Sequence, residues 1–464
     1  MKKLSFLICF VFAILLAGCA GSEGQALEAG TTTQTPAPAV TSTPAPRSPT
    51  PSSTSAWRIV TATTAPTLSR EAQVTPQCLE FASTMPDDAK AEGVVLLEKW
   101  VGGYGLERTL LDMFTWQDIP VQPDEKHDYE SLVVSPNRRQ MTYLTFLESD
   151  GIAKFQELVI ADAFGKQLKN MPWKIKWTDI VDWIDDQQIM IRMVAMENGE
   201  ISYGYPGPRL VIDTVNGEQR TLEPDLLPGW EEWIDATYEY VELPFWGGQR
   251  GVVYDPSLTR VIYPIINEED TDRYTYALWD VSQQKPVTTL DSIVNFSVKE
   301  NYYPRPDWSP DSSQFVLVGG MIDVDTGDVV GNELFRVTRD GQIEQITHVG
   351  EFASVWASSH SWSPDGRYIA LLLHLNDEAS YDARLAVLDT ETMNLTDYCF
   401  TVRVKFSSTK TPALVWSPDG TQLLLENKFI GDRSQVIWVD LENGTAARLI
   451  NDEYVAGWML APGE

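Results

Sequence analysis

Residues 361 to 373 read SWSPDGRYIALLL, a tight run of tryptophan, serine, proline, aspartate and glycine followed by β-formers. Serine before proline, with glycine two residues further on, is what a type I turn favours, because proline presets φ and glycine relieves the exit. The apolar run that follows reads as a buried strand. The same pattern begins at Trp308 (WSPD, then SSQFVLV) and at Trp416 (WSPDG, then TQLLLE), so it recurs every 54 residues. Another 54 residues back, Tyr254-Asp-Pro lies in register, with Pro256 in the place of Pro310. Val134-Ser-Pro-Asn matches the same template, and Trp183-Ile-Asp-Asp matches it more loosely.

Each unit continues with a second strand, a polar hairpin and a third, as in RLAVLDTETMNLTDY and QVIWVDLENGTAARLI. Asn-Gly and Asp-Gly pairs in several of these hairpins are turn signals. A repeat of four short antiparallel strands has the size of a propeller blade. The expected fold is therefore all-β, a β-propeller of four-stranded antiparallel blades, with WSPDG at the corner between an inner strand and the next. Its tryptophan is expected to wedge between neighbouring blades, and Asp365 and Asp419 to serve the turn, not catalysis.

The chain ends EYVAGWMLAPGE, an inner strand at Trp458 with no successors, while residues 91 to 116 can supply the missing strands. Seven blades closed by pairing the N- and C-terminal segments are expected, with six plus a strapping segment as the alternative. A ring closed in this way leaves no open sheet edge.

The repeat resembles the TolB-like and WD40-like propellers of bacterial envelope proteins, over roughly residues 125 to 464. A true WD-repeat propeller fits less well: Leu278-Trp279-Asp280 is the one such triplet and lacks its Gly-His partner. No α/β domain comparable to TolB's precedes the propeller, so TolB's own partnership is not carried over.

The amino terminus, MKKLSFLICFVFAILLAGC, has a lysine pair, a short apolar run and small residues before Cys19. It resembles a bacterial lipoprotein signal, which implies removal of residues 1–18 and lipidation of Cys19. Acyl chains contribute about 0.8 kcal/mol per buried CH₂, so the resemblance implies an extracytoplasmic, membrane-anchored protein. Residues 31–56 are almost all Thr, Pro, Ser and Ala, with nothing to bury. Residues 19–75 are thus read as a disordered stalk that, at ~3.1 Å per extended residue, reaches on the order of 100 Å. The head is expected to span residues 76–464.

Sixty-six acidic residues against 35 basic ones give a net charge of −31. Such a chain repels nucleic acid and anionic headgroups, and no nucleic-acid partner is expected. Beyond Cys9 and Cys19, Cys78 and Cys399 remain, and in an oxidising compartment they suggest one disulfide; two separate buried thiols are the other reading.

No hydrolase elbow, zinc-protease or phosphate-loop motif is present, and His127, His348, His360 and His374 lack ligand spacing. Neither a catalytic residue, a metal nor a cofactor is predicted. The acid-rich run Asp323-Val-Asp325-Thr-Gly327-Asp328 has some character of a calcium loop, but reads as an ordinary hairpin turn. More informative is an insertion. Trp183 to Tyr254 spans 71 residues, about 17 beyond the repeat, and includes Trp230, Trp233, Tyr238, Tyr240, Phe245 and Trp246. Aromatics beside carboxylates suit stacking on a sugar or gripping a peptide, with packing of the insertion onto the propeller as the alternative. The sequence thus points to a binding or scaffolding module for an envelope protein or glycan, with a glycan lyase or hydrolase working in the central funnel as the rival reading.

Overall fold

The computed structural model describes residues 74–461, except 87–88, 103–104, 120–127, 150–151, 173–177, 198–199, 223–226, 231, 234–251, 268–269, 295, 298–305, 323–328, 351–352, 376–381, 404–413 and 429–433. Its strands form seven sheets, each built on four strands in meander order. Blades 1 to 6 are residues 128–172, 178–222, 253–289, 307–345, 353–403 and 414–451. Blade 7 takes its inner strand, Tyr454–Met459, from the end of the chain. Its other three, Val94–Gly102, Gly105–Asp112 and Gln117–Ile119, come from the front. The chain is a seven-bladed β-propeller closed by its two termini.

The apolar runs that follow each turn are continuous because both faces of each blade are buried. In blade 4, Phe315 and Leu317 pack toward blade 3, while Val316 and Val318 pack toward blade 5. In blade 5, Ile369, Leu371 and Leu373 face blade 4, and Ala370 and Leu372 face blade 6. Leu424 and Trp438 of blade 6 meet Val95, Leu97 and Trp458 of blade 7, and Val94 and Leu96 then meet Met141 and Tyr143 of blade 1. Smaller cores join blades 1 and 2 and blades 2 and 3, which completes the circle.

The inner-strand tryptophans do wedge between blades, and they also donate hydrogen bonds there. The indole N–H of Trp362 donates to Asp307 O at 3.1 Å, that of Trp416 to Ser361 O at 3.0 Å and that of Trp183 to Val133 O at 3.1 Å. Each acceptor is the carbonyl preceding the corresponding position of the blade before.

The turn after each tryptophan is held by its own side chains. Tyr368 N–H donates to Ser363 Oγ at 2.8 Å, the Ser363 hydroxyl donates to Asp365 Oδ1 at 2.5 Å, and Gly366 N–H donates to Ser363 O at 2.9 Å. Ser309 with Asp311 and Ser417 with Asp419 repeat the arrangement. The fourth turn position has positive φ: 73° at Gly366 and 74° at Gly420, but also 60° at Arg138, 56° at Leu258 and 59° at Ser312. A left-handed backbone at a non-glycine residue costs about 1–2 kcal/mol, which the side-chain clasp of the turn offsets.

A second device closes the hairpin between the third and outer strands. An aspartate at the end of the third strand accepts N–H groups from the turn beyond it. Asp112 takes Phe114 and Thr115, Asp162 takes Phe164 and Lys166, Asp213 takes Val215 and Asn216, and Asp389 takes Glu391 and Thr392. The bonds from Asn216 and Val215 hold the Asp213 carboxyl below its ordinary value. Part of the chain's acidity is thus spent on turns. Both kinds of turn lie at the same ends of the strands and form one face, here the turn face.

Where the termini meet, blade 7 has no inner-strand corner, and blade 1 fills the gap. Arg138 donates from its guanidinium to Trp416 O of blade 6, and its own carbonyl accepts from Leu460 N–H at 2.8 Å. Burial lowers the Arg138 guanidinium to about 10, with the Asp419 carboxylate opposing that shift. Gly93, at φ +99°, sits where an added Cβ would lie 2.2 Å from Met459 O, so the splice requires glycine.

Ahead of blade 7 the chain straps two other blades. Val74–Pro76 pairs in parallel with Leu395–Asp397 on the outer strand of blade 5, and Glu80–Ala82 does the same with Thr445–Ala447 on blade 6. Seven blades and a strap are therefore both present. Between the two pairings, Cys78 is bonded to Cys399 of blade 5, with a Cα–Cα distance of 4.7 Å and a sequence separation of 321. The Cys78→Ser/Cys399→Ser variant is expected to lose about 2–4 kcal/mol. A reducing agent is expected to lower the melting temperature of the parent and leave that of the variant unchanged.

Candidate functional site

The strongest departure from the repeat lies between blades 2 and 3. It emerges on the face opposite the turns, where second strands pass to third strands and each blade hands over to the next. Leu227, Trp230 and Trp233 begin it, and all three are buried. The two indoles stack with centroids 5.1 Å apart and planes at 21°, against Tyr263, Tyr274, Tyr276 and Ile293. The backbone is left-handed at Gly229, φ +78°, just before the pair, and Trp233 N–H donates to Gly229 O at 3.2 Å. The Tyr263 hydroxyl donates to Pro228 O at 3.0 Å, and burial raises its pKa.

The segment returns at Val252, also buried, where the carbonyl accepts from the Arg209 guanidinium at 3.1 Å. Arg209 is 1% exposed and lies over the Tyr254 ring, 5.5 Å from its centroid. Burial raises the Tyr254 phenol above its ordinary value, and the Arg209 charge opposes the shift. Both ends of the insertion are therefore fixed in the core shared by blades 3 and 4 and its neighbour.

This places the predicted aromatic residues in two groups. Trp230 and Trp233, 2% and 0% exposed, present no face to a ligand; they are the anchor of the insertion, and the expectation of an exposed grip at these two positions is corrected. The reason is area: two stacked indoles in a tyrosine-rich cluster remove a large apolar surface from water, which favours packing over exposure. Tyr238, Tyr240, Phe245 and Trp246 lie outside the described residues, as do His127 and the Asp323–Asp328 loop.

The other titratable candidates are engaged in structure. Asp365 and Asp419 hold their turns. Asp255, which replaces serine in blade 3, accepts from Thr259 and Arg260 N–H and pairs with Arg339 of blade 4 at 2.8 Å. His374 Nδ1 lies 3.1 Å from Asp382 O, and His348 Nδ1 lies 2.9 Å from Gln345 Nε2, with burial lowering the His348 pKa. Sequence reading missed Glu333, a buried carboxyl whose pKa burial raises. It accepts from Val349 N–H at 2.7 Å, Gly350 N–H at 2.8 Å and the Thr347 hydroxyl at 2.5 Å, fastening the connection from blade 4 to blade 5. One acid among many gave no signal for that role. Among the described residues, no three His, Cys, Asp or Glu side chains converge to hold a metal.

No protein-family model matches the chain, and no curated protein matches it. Solved structures do. TolB from Acinetobacter baumannii is 12% identical, over 78% of this chain and 81% of that one, with a TM-score of 0.36. In fold, the chain is similar to TolB. An oligogalacturonate lyase from Vibrio parahaemolyticus is 12% identical over 78% of this chain and 86% of its own, with a TM-score of 0.44. A second oligogalacturonate lyase, in complex with manganese, is 14% identical over the same shares, with a TM-score of 0.43. These are likenesses of fold and say nothing about chemistry.

Proposed function

We propose that the chain is an envelope lipoprotein, anchored through Cys19 and its stalk, whose propeller head is a binding or scaffolding module for a protein or glycan. The observation behind this reading is the insertion between blades 2 and 3. It leaves the fold at a stacked tryptophan pair and returns at a carbonyl held by a buried arginine. A segment based on so rigid a seat, carrying Tyr238, Tyr240 and Trp246, suits recognition, because loops on fixed scaffolds supply binding groups at low ordering cost. Rings with a polar tip stack on sugars or fill peptide pockets equally well. The anchored, extracytoplasmic location rests on the amino-terminal signal and accords with a disulfide between Cys78 and Cys399.

The test uses residues 20–464 without lipid as bait in envelope extract, beside the same chain with residues 234–250 replaced by a short glycine linker. Both keep Trp230, Trp233 and Val252, so the seat is retained. A protein or glycan captured by the parent and lost with the linker supports the reading. Capture that is equal with both baits moves the contact off the insertion. Turnover of an acidic oligosaccharide by the parent would favour the enzyme reading instead.

A further inference from the structure

We infer that the turn face of blades 7, 1 and 2 rests on a phospholipid bilayer. The large hydrophobic residues exposed in the head include Phe114 at 57%, Phe164 at 37%, Leu168 at 50% and Val215 at 70%. Single exposed apolar residues are ordinary on protein surfaces. These differ in their placement. Phe114, Phe164 and Val215 occupy one equivalent position, two residues after the capping aspartates Asp112, Asp162 and Asp213, on three consecutive blades. Blades 3 to 6 have Ser282, Asp340, Glu391 and Glu442 there, all exposed. The apolar tips thus form one arc on three neighbouring blades, and the same turn position is polar or acidic on the other four, although the strap residue Phe81 is also exposed, at 51%, beside the outer strand of blade 6.

Lysines accompany the arc. Lys90 Nζ lies 4.5 Å from the Phe114 ring centroid, Lys166 follows Phe164 by two residues in the same turn, and Lys169 Nζ donates to Thr214 O at 2.9 Å beside Val215. The three aspartates of these turns direct an oxygen at backbone N–H groups, although Asp118 and Glu218 are also exposed nearby. Apolar tips with adjacent lysines suit the boundary between acyl chains and phosphates, where the ring enters and the ammonium group reaches a phosphate. The charge of −31 is no bar, because acidic groups more than about 8 Å away are largely screened at physiological salt.

The start of the strap points the same way. Val74 pairs with Leu395 immediately after the turn of blade 5, and Glu80 N–H donates to Gly444 O in the corresponding turn of blade 6. The chain therefore enters the head on the turn face, the side that bears the apolar arc. That a tether arrives there from a membrane rests on the anchored reading; the lipid contact itself does not.

Residues 20–464 without lipid would be floated with vesicles of phosphatidylethanolamine, with and without phosphatidylglycerol. The parent is expected to partition onto vesicles containing phosphatidylglycerol. The Phe114→Ser/Phe164→Ser/Val215→Ser variant is expected to lose at least about tenfold in partitioning, since binding scales with buried apolar area. Lys90→Gln/Lys166→Gln should remove the dependence on phosphatidylglycerol, and Glu391→Ser/Glu442→Ser should change nothing. The substituted positions are exposed, and unchanged melting of the triple variant verifies its fold. A parent that floats with neither composition, or a triple variant that floats like the parent, overturns the inference. So does a parent that ignores vesicles and self-associates through the three tips, which would make the arc a protein contact. Because no chain in this test is acylated, its failure leaves the Cys19 reading standing.

Discussion

A chain ending at Asp452 is expected to lose the cooperative unfolding transition of the full protein. The truncation removes Tyr454–Met459, the inner strand of blade 7, and with it Val455, Trp458 and Met459, which are buried in the two cores flanking that blade. It also bares the hydrogen-bonding edge of Val94–Gly102, which pairs with this strand from Val94↔Met459 to Glu98↔Tyr454. Removal of a large core side chain typically costs about 3–5 kcal/mol, against a total of about 5–15 kcal/mol for a folded domain. Losing a whole strand together with ring closure should exceed what remains. Calorimetry and near-ultraviolet circular dichroism would show a broad or absent transition. A sharp transition only a few degrees lower would mean that six blades and the strap hold without closure.

The second large effect is at Trp416. Its side chain is 1% exposed, packs in the core between blades 5 and 6 and donates to Ser361 O at 3.0 Å. Trp416→Ala is expected to cost about 3–5 kcal/mol by lost contact and the cavity left behind. Trp416→Phe keeps much of the volume but removes the hydrogen bond to the part-buried Ser361 carbonyl, which adds about 1 kcal/mol. Trp308 is an internal comparison. It occupies the same repeat position, yet among the described residues its indole nitrogen has no acceptor, and Arg339 links blades 3 and 4 through Asp255 instead. Trp308→Phe should therefore cost less than Trp416→Phe in urea unfolding. Equal costs would remove the hydrogen bond from the account and leave packing alone.

The contrast between these tryptophans shows what a repeat makes legible. The corner turn, the fully apolar second strand and the wedge were readable because the same residues recur at one spacing and each has a local cause. Ring closure was readable from a chain end that holds one strand and a front that holds three. The pairing of Cys78 with Cys399 was one of two readings the sequence left open, and its place between two strapped blades was not legible at all.

What is not periodic was harder to read. Trp230 and Trp233 look like a binding surface in sequence because an insertion of aromatics beside acids has the same composition exposed or buried. Only the tyrosines beneath them, Tyr263, Tyr274 and Tyr276, decide which, and those lie in another strand pair. The arc of Phe114, Phe164 and Val215 was invisible for the opposite reason. Each is an unremarkable turn residue, and their equivalence appears once the capping aspartates align the blades. Arg138 bridging to blade 6 depends on a missing turn in blade 7, which no local pattern records.

One measurement addresses the whole arrangement, a head with its turn face on the membrane and its opposite face toward a partner. A photoreactive residue would be placed at Phe164, on the turn face, or at Thr271, exposed on the opposite face of blade 3, in the full-length chain in intact cells. After irradiation, phospholipid adducts are expected at residue 164 and a discrete protein or glycan adduct at residue 271. Protein adducts at 164 together with lipid adducts at 271 would contradict the orientation outright. The absence of any discrete adduct at 271 would contradict a partner on this part of the opposite face.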